Sequence, residues 1–321
     1  MSEPASEFDL IARIRGRAAR HGRADVVLGI GDDAAVLQLP AGMQLAVATD
    51  TLNAGVHFPL DTAPADIGWK ALAVNLSDLA AMGAQPAWCT LALSLPAPDV
   101  VWLDAFLGGF FELADAHHVA LIGGDTTRGP LSISITAHGA IPAGQALRRS
   151  GAQPGDDVWV SGTLGDAAGA LRQWQAGDRI DARLRTRLDR PIARIDVGLA
   201  LHGVANACID ISDGLLADLG HLCTASGVAA ELELAALPAS AALRAAFDGD
   251  ALRELQACGG DDYELCFSVP AAARAAVEQI ARSTGVPIVR IGRIVAGQGV
   301  TALRADGAVW TPPSTGYRHF A

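Results

Sequence analysis

The order of apolar and polar positions divides the chain into alternating strands and helices. Residues 44–49 (QLAVAT) form an apolar run into Asp50 and predict a strand. Residues 64–82 read as a helix, with Pro64 near its first turn and Gly83 as its stop. Strands are expected at 89–95 and at 131–137, where LSISITA alternates cleanly, and a helix is expected over 99–117. A short buried strand, 119–122 (VALI), leads into Gly123-Gly124-Asp125.

Between 140 and 157 the letters AIPAGQALRRSGAQPGDD are rich in Gly and Pro and hold no periodic apolar face. Alternation then resumes, with strands expected at 158–161, 207–211, 229–234, 264–269 and 288–294. A helix is expected at 213–225, capped by Asp213 or Ser212 and closed by Gly227, and another at 271–283. This pattern predicts two α/β domains of similar size, 1–148 and 149–321. Asn75-Leu76-Ser77-Asp78 echoes Asp210-Ile211-Ser212-Asp213, each beside a helix, but four letters match too easily by chance to define a repeat.

Composition narrows the class. Half of the 321 residues are hydrophobic and 18% are charged, so the chain buries a large core and is not disordered. The net charge of −11 argues against a protein that coats nucleic acid or an anionic membrane. Of the acids 27 are Asp and 8 are Glu, and Lys70 is the single lysine. Short carboxylates suit turns, caps and hard-metal sites. Five Cys with no CxxC argue against a disulfide framework or a zinc site and fit a reducing cytosol. Glu3, Glu7, Asp9, Arg13 and Arg15 stand where a signal peptide would be apolar, and no stretch approaches the roughly 18 apolar residues of a membrane span. A soluble, cytoplasmic protein is expected.

The aspartates gather in clusters, most of them Gly-flanked and at expected strand ends. These are Gly31-Asp32-Asp33, Thr49-Asp50-Thr51, Ser77-Asp78, Gly123-Gly124-Asp125-Thr126-Thr127, Asp210-Ile211-Ser212-Asp213-Gly214 and Gly259-Gly260-Asp261-Asp262. Ligands of α/β folds bind beyond the carboxyl ends of strands. Carboxylates converging there repel one another unless cations sit between them, and Mg²⁺ takes one or two carboxylates plus substrate phosphates. Gly lets the backbone approach a ligand and turn its N–H groups to phosphate oxygens. The combination points to a nucleotide held through Mg²⁺. A lone Gly-Asp pair is ordinarily a turn, and Asp213 before a helix is by default a cap. Six clusters are harder to assign to turns alone.

Other nucleotide motifs are missing. There is no GxxxxGK[ST], and Lys70 falls inside the expected helix 64–82, which excludes a P-loop. Gly29-Ile30-Gly31 is followed by Asp32-Asp33-Ala34, so the Rossmann fingerprint fails, and neither a kinase HRD/DFG set nor a GxSxG elbow is present. His57, Arg148, Arg149 and Tyr317 are further candidates for holding a substrate, against ordinary roles in a surface loop, a solvated linker and terminal packing.

Seven ordered runs resemble the thiamine-monophosphate kinases. They are GIGDDAAV (29–36), TDTLNAGVHF (49–58), KALAVNLSDLAAMGAQP (70–86), LIGGDTTRGP (121–130), RSGAQPGD (149–156), IDISDGL (209–215) and GGDDYEL (259–265). The resemblance extends from Glu7-Phe8 to the Tyr317-x-His-Phe tail. It implies the two-domain fold of the aminoimidazole-ribonucleotide synthetase superfamily: an N-terminal α/β domain whose sheet pairs across a homodimer, and a C-terminal α+β domain. It implies ATP and several Mg²⁺ ions, with ATP plus thiamine monophosphate giving thiamine diphosphate plus ADP, the last step of thiamine diphosphate biosynthesis. By the same resemblance Asp33, Thr49, Asp50, Asp78, Asp125, Asp210 and Asp213 correspond to the Mg²⁺ set, and Asp50, Asp125 and Asp213 are the catalytic candidates. Gly124, Asp125, Arg149 and Ser212 correspond to ATP contacts, and His57, Asp261 and Tyr317 to thiamine monophosphate contacts. This chain departs from the family at Asp261, where Glu is usual, and at Ala48, where Ser or Thr is frequent.

The implied reaction is direct in-line transfer of the γ-phosphoryl group to an already ionised phosphate oxygen, which needs no strong base. A nucleotide-binding regulator without turnover and a metal-dependent phosphohydrolase are the alternative readings of the same clusters.

Overall fold

The computed structural model describes residues 7–317. The chain divides into two compact units. One comprises the chain up to Leu79 with Ala84–Gly144, the other Ala80–Gly83 with the chain from Gln145 onward.

The first unit contains α1 (Glu7–Ala18), β1 (Val26–Leu28), β2 (Val36–Leu37), β3 (Met43–Asn53), α2 (Pro64–Ala81), β4 (Gln85–Leu95), α3 (Val100–Ala116), β5 (Ala120–Arg128) and β6 (Ser132–Pro142). Four strands form a sheet in the order β3-β6-β4-β5, in which β4 and β5 run parallel and the other pairs antiparallel. Leu52, Leu91, Leu93, Ile133 and Ile135 are buried and alternate with partly exposed Thr and Ser, so one sheet face is covered and the other open. The other large apolar surfaces of this unit, Leu72, Leu76 and Leu79 of α2 and Leu103, Phe106 and Phe110 of α3, are buried too and supply the cover.

The second unit contains β7 (Asp156–Ser161), α4 (Asp166–Ala176), α5 (Ala182–Asp189), α6 (Ile195–Ala200), β8 (Ala207–Asp210), α7 (Leu215–Ser226), β9 (Ala229–Glu233), α8 (Ala241–Ala246), α9 (Gly249–Cys258), β10 (Leu265–Pro270), α10 (Arg274–Thr284), β11 (Ile288–Val295), β12 (Gly299–Leu303) and β13 (Val309–Trp310). Its seven-stranded sheet runs β13-β12-β9-β11-β7-β10-β8, antiparallel except for the β9–β12 pair. Val160, Ile209, Leu219, Leu222, Cys266 and Ile291 lie in its main core. Leu184, Leu188, Leu243 and Leu255 form a second core among α4, α5, α8 and α9. The α/β unit followed by an α+β unit is the expected class.

Several boundaries differ from the expectation. Residues 123–127 form no turn after a short strand: β5 runs on through them because Gly123–Arg128 pair with Thr90–Leu95 of β4. The strand at 44–49 likewise continues past Asp50, carried by its antiparallel register with β6. Asn75–Asp78 lie inside α2, whereas Asp210–Asp213 leave β8 into a loop, so the four-letter echo is no structural repeat. Cys89, Cys208, Cys223 and Cys266 are buried, and burial pushes the thiols of Cys89 to about 12 and of Cys223 to about 11, so they pack as core residues. No helix among the described residues is long and apolar enough to cross a membrane.

Candidate active site

In the first unit β3 is an edge strand, so every second N–H on its outer side lacks a strand partner. At Asp50 that N–H donates to the buried Asn75 Oδ1 across 3.0 Å, while Asn75 Nδ2 donates to the Ala71 carbonyl one turn back on α2. Asn75 thereby ties the middle of β3 to α2. Asp78 sits three residues further on, on the same side of the helix and only partly buried. Asp50 and Asp78 are thus brought to one locus by a side chain that sequence reasoning passed over.

Strand alternation separates the neighbours. Thr49 Oγ1 donates to Thr136 Oγ1 at 3.0 Å, and Thr51 and Ser134 hydroxyls meet at 2.7 Å, on the open face. Asp125 pairs with Ala92, which in turn pairs with Ser134, and so shares that open face; its Oδ1 accepts the N–H of Thr126 at 2.9 Å. Asp50 stands one row away, opposite Ile135, on the covered side. Gly124 is at φ +147, and a Cβ there would lie 1.8 Å from the Leu91 carbonyl, so only glycine lets β5 close on β4 beside Asp125.

Two candidates lie in loops. Asp33 is exposed, and its N–H donates to its neighbour Asp32 at Oδ1. His57 sits in a turn closed by Gly55 N–H to Phe58 O, and its Nδ1 accepts the N–H of Asn53 at 2.9 Å. That acceptance places the proton of the neutral ring on Nε2.

The second unit gathers its candidates by backbone pairing. Asp210 ends β8 opposite Leu265 of β10, and the pairing continues past both strands. Ile211 N–H donates to Glu264 O, Tyr263 N–H to Ile211 O at 2.8 Å, and Asp261 N–H to Ser212 O at 2.9 Å. Tyr317 N–H donates to Asp213 O at 3.0 Å. Asp210, Ser212, Asp213, Asp261 and Tyr317 therefore share one locus. Arg149 does not join them through its backbone. Its carbonyl accepts from Ser226 Oγ at the far end of α7, and its side chain is exposed.

Asp213 and Ser212 do not cap α7. The cap position is Gly214, and no side chain bonds there. Instead Asp218, from the helix's own first turn, folds back. Its Oδ2 accepts the N–H groups of Ser212, Asp213 and Gly214 at 3.0–3.1 Å. Burial, with Asp210 and Asp213 close by, pushes the Asp218 carboxyl up to about 7. Among the described residues no three His, Cys, Asp or Glu side chains are placed to hold a metal ion by themselves. Mg²⁺ is ordinarily held by one or two carboxylates, with water and substrate phosphate oxygens completing its shell.

Known proteins match this chain over nearly its whole length. Residues 31–141 match the N-terminal domain of AIR synthase related proteins, and residues 153–304 match the C-terminal domain. A thiamine-monophosphate kinase of Salmonella typhimurium is 51% identical, over 98% of each chain. The crystal structure of a thiamine-monophosphate kinase from Stenotrophomonas maltophilia is 57% identical with a TM-score of 0.87, over 95% of this chain and 98% of that one. A further solved structure, described as AaThiL complexed with AMPPCP and TMP, is 32% identical with a TM-score of 0.77, over 98% and 97% of the two chains.

Proposed function

The chain belongs to the thiamine-monophosphate kinase family, and from that premise we propose that it transfers the γ-phosphoryl group of ATP to thiamine monophosphate, giving thiamine diphosphate and ADP. The observation that carries the reading is the identity of 51% over 98% of both chains, alignment long enough to include every candidate cluster.

The chemistry asks for little covalent help. A phosphate monoester is ionised near neutral pH and attacks the γ-phosphorus directly, so the site needs no strong base. The obstacle is charge: two unit charges at 4 Å repel by about 4 kcal/mol at an effective dielectric of 20. Mg²⁺ bound at the acidic clusters supplies the neutralising charge. Asp50 and Asp78 beside Asn75 would hold one ion, Asp210 and Asp213 at the end of β8 another, and Asp125, on the opposite face and the other edge strand of the sheet, a further one, with Asp33 and Thr49 as the remaining family positions. Asp50, Asp125 and Asp213 carry the catalytic role in this reading. Gly124 and Ser212 offer close backbone to the ATP phosphates, and Arg149 a long charged arm. His57, Asp261 and Tyr317 receive thiamine monophosphate, whose thiazolium charge and pyrimidine amino group suit a carboxylate and an aromatic ring.

The open face of the four-stranded sheet supports a homodimer. It exposes Leu45 and Val47 (48% and 56%) beside the Thr and Ser rows, a surface that a second copy would cover. A cytoplasmic location follows from this reading, since ATP is a cytoplasmic substrate.

ADP release measured by a coupled assay tests the function. It is expected to require thiamine monophosphate. ATP turnover without it would make the chain a phosphohydrolase, and nucleotide binding without any turnover would make it a regulator.

A further inference from the structure

We infer that Tyr263 is a positioning residue of the thiamine monophosphate site, its hydroxyl fixing the carboxylate of Asp261. This rests on the reading of Asp261 as a substrate contact.

The backbone around these residues is unusual. Among the described residues only three non-glycine positions have positive φ, and two of them are Asp261 (+68°) and Tyr263 (+52°). Left-handed backbone is costly for residues with a Cβ and persists where the surroundings over-determine it. Here the surroundings are specific. Asp262, between the two, is buried, and both its carboxylate oxygens accept the Gly165 N–H, at 2.8 and 3.0 Å. Glu264 is fully buried. It accepts from Arg194 at 2.5 and 2.6 Å, from Arg187 at 2.9 Å and from the Ser161 hydroxyl at 2.6 Å. The backbone bonds of Asp261 to Ser212 and of Tyr263 to Ile211 close the other side.

Within this frame the side chains divide their tasks. Asp262, Tyr263 and Glu264 are all buried, and the Asp262 and Glu264 carboxylates serve the protein. Asp261 is the partly exposed acid of the run, and the Tyr263 hydroxyl donates to its Oδ1 at 2.9 Å. The Tyr263 ring is itself buried, so the donor is held in place by packing. A hydroxyl aimed from a locked ring favours one orientation of the carboxylate it donates to, and charge-assisted hydrogen bonds of this kind are strong.

Steady-state kinetics of Tyr263→Phe, Asp261→Ala and the double variant test the inference. Tyr263→Phe removes one oxygen and should raise KM for thiamine monophosphate about three- to tenfold, with kcat and KM for ATP changed by less than about twofold. Asp261→Ala should raise the same KM at least as much without touching the buried ring, and the double variant should be no worse than Asp261→Ala. A normal KM for Tyr263→Phe, or losses that add in the double variant, would overturn the positioning role. A normal KM for Asp261→Ala would instead overturn Asp261 as a substrate contact, and the inference with it.

Discussion

The backbone N–H of Asp261 donates to the carbonyl of Ser212 across 2.9 Å, so two acidic motifs far apart in the chain are joined at their tips. One motif continues from β8, the other runs into β10, and the sheet register carries both to the same place. Gly260 allows it, since a Cβ there would stand 2.6 Å from that same carbonyl. The loop that follows β8 and the segment that leads into β10 thus form one structural piece.

Asp218 should prove essential to the loop that carries Ser212 and Asp213. Asp218→Ala leaves three N–H groups, one buried and two part-buried, without their acceptor, with an expected loss of about 2–4 kcal/mol in urea unfolding. The turnover number should fall with it by at least about tenfold, because Asp213 loses its fixed place. Unchanged stability would show that the N–H groups find water instead.

Asn75 makes the equivalent test in the first unit. It is fully buried and satisfies the outward N–H of Asp50. Asn75→Leu should cost about 1–3 kcal/mol of stability and shift the Mg²⁺ concentration needed for half-maximal rate upward. Retained Mg²⁺ dependence would separate Asp50 from the metal role.

The first-unit elements were largely legible. Pro64 and Gly83 bracket α2 to within a residue, and the alternation of LSISITA announces β6. The failures share a cause. Gly123, Gly124 and Asp125 carry turn letters yet lie in a strand, because the register with β4 outweighs local preference. Asp213 carries cap letters, but the loop's N–H groups are taken by Asp218, an acid of the helix's own first turn that folds back over them. Asn75 and Tyr263 gave no signal either, since each acts by holding another residue. Motif spelling identified the acids, and tertiary pairing decides which of them meet.

Glu264 should be a stability residue. Glu264→Gln removes the charge that pairs with Arg187 and Arg194, leaving two largely buried guanidinium groups, and should cost about 3–5 kcal/mol. Denaturant titration measures this, and a loss below about 1 kcal/mol would mean that water enters to solvate the arginines.

Acid sensitivity should reside partly in Asp157. Hydrogen bonds from Arg274, then from Arg290, hold its carboxyl below the ordinary carboxylate value. A folded value depressed below the unfolded one adds stability above the unfolded pKa, and that stability is lost as pH falls through the folded value. Asp157→Asn should therefore be less stable than the parent at neutral pH, and the gap should close toward acid pH. A gap independent of pH would assign the effect to packing.

The central claim, direct phosphoryl transfer to thiamine monophosphate, is tested most directly by following γ-labelled ATP with Mg²⁺ in the parent and in Asp50→Asn and Asp213→Asn. The label should pass from ATP into thiamine diphosphate, with none retained on the protein, and both variants should transfer it at least about 100-fold more slowly while melting near the parent temperature. Label released as inorganic phosphate, label trapped on the protein, or near-normal transfer by both variants would contradict it.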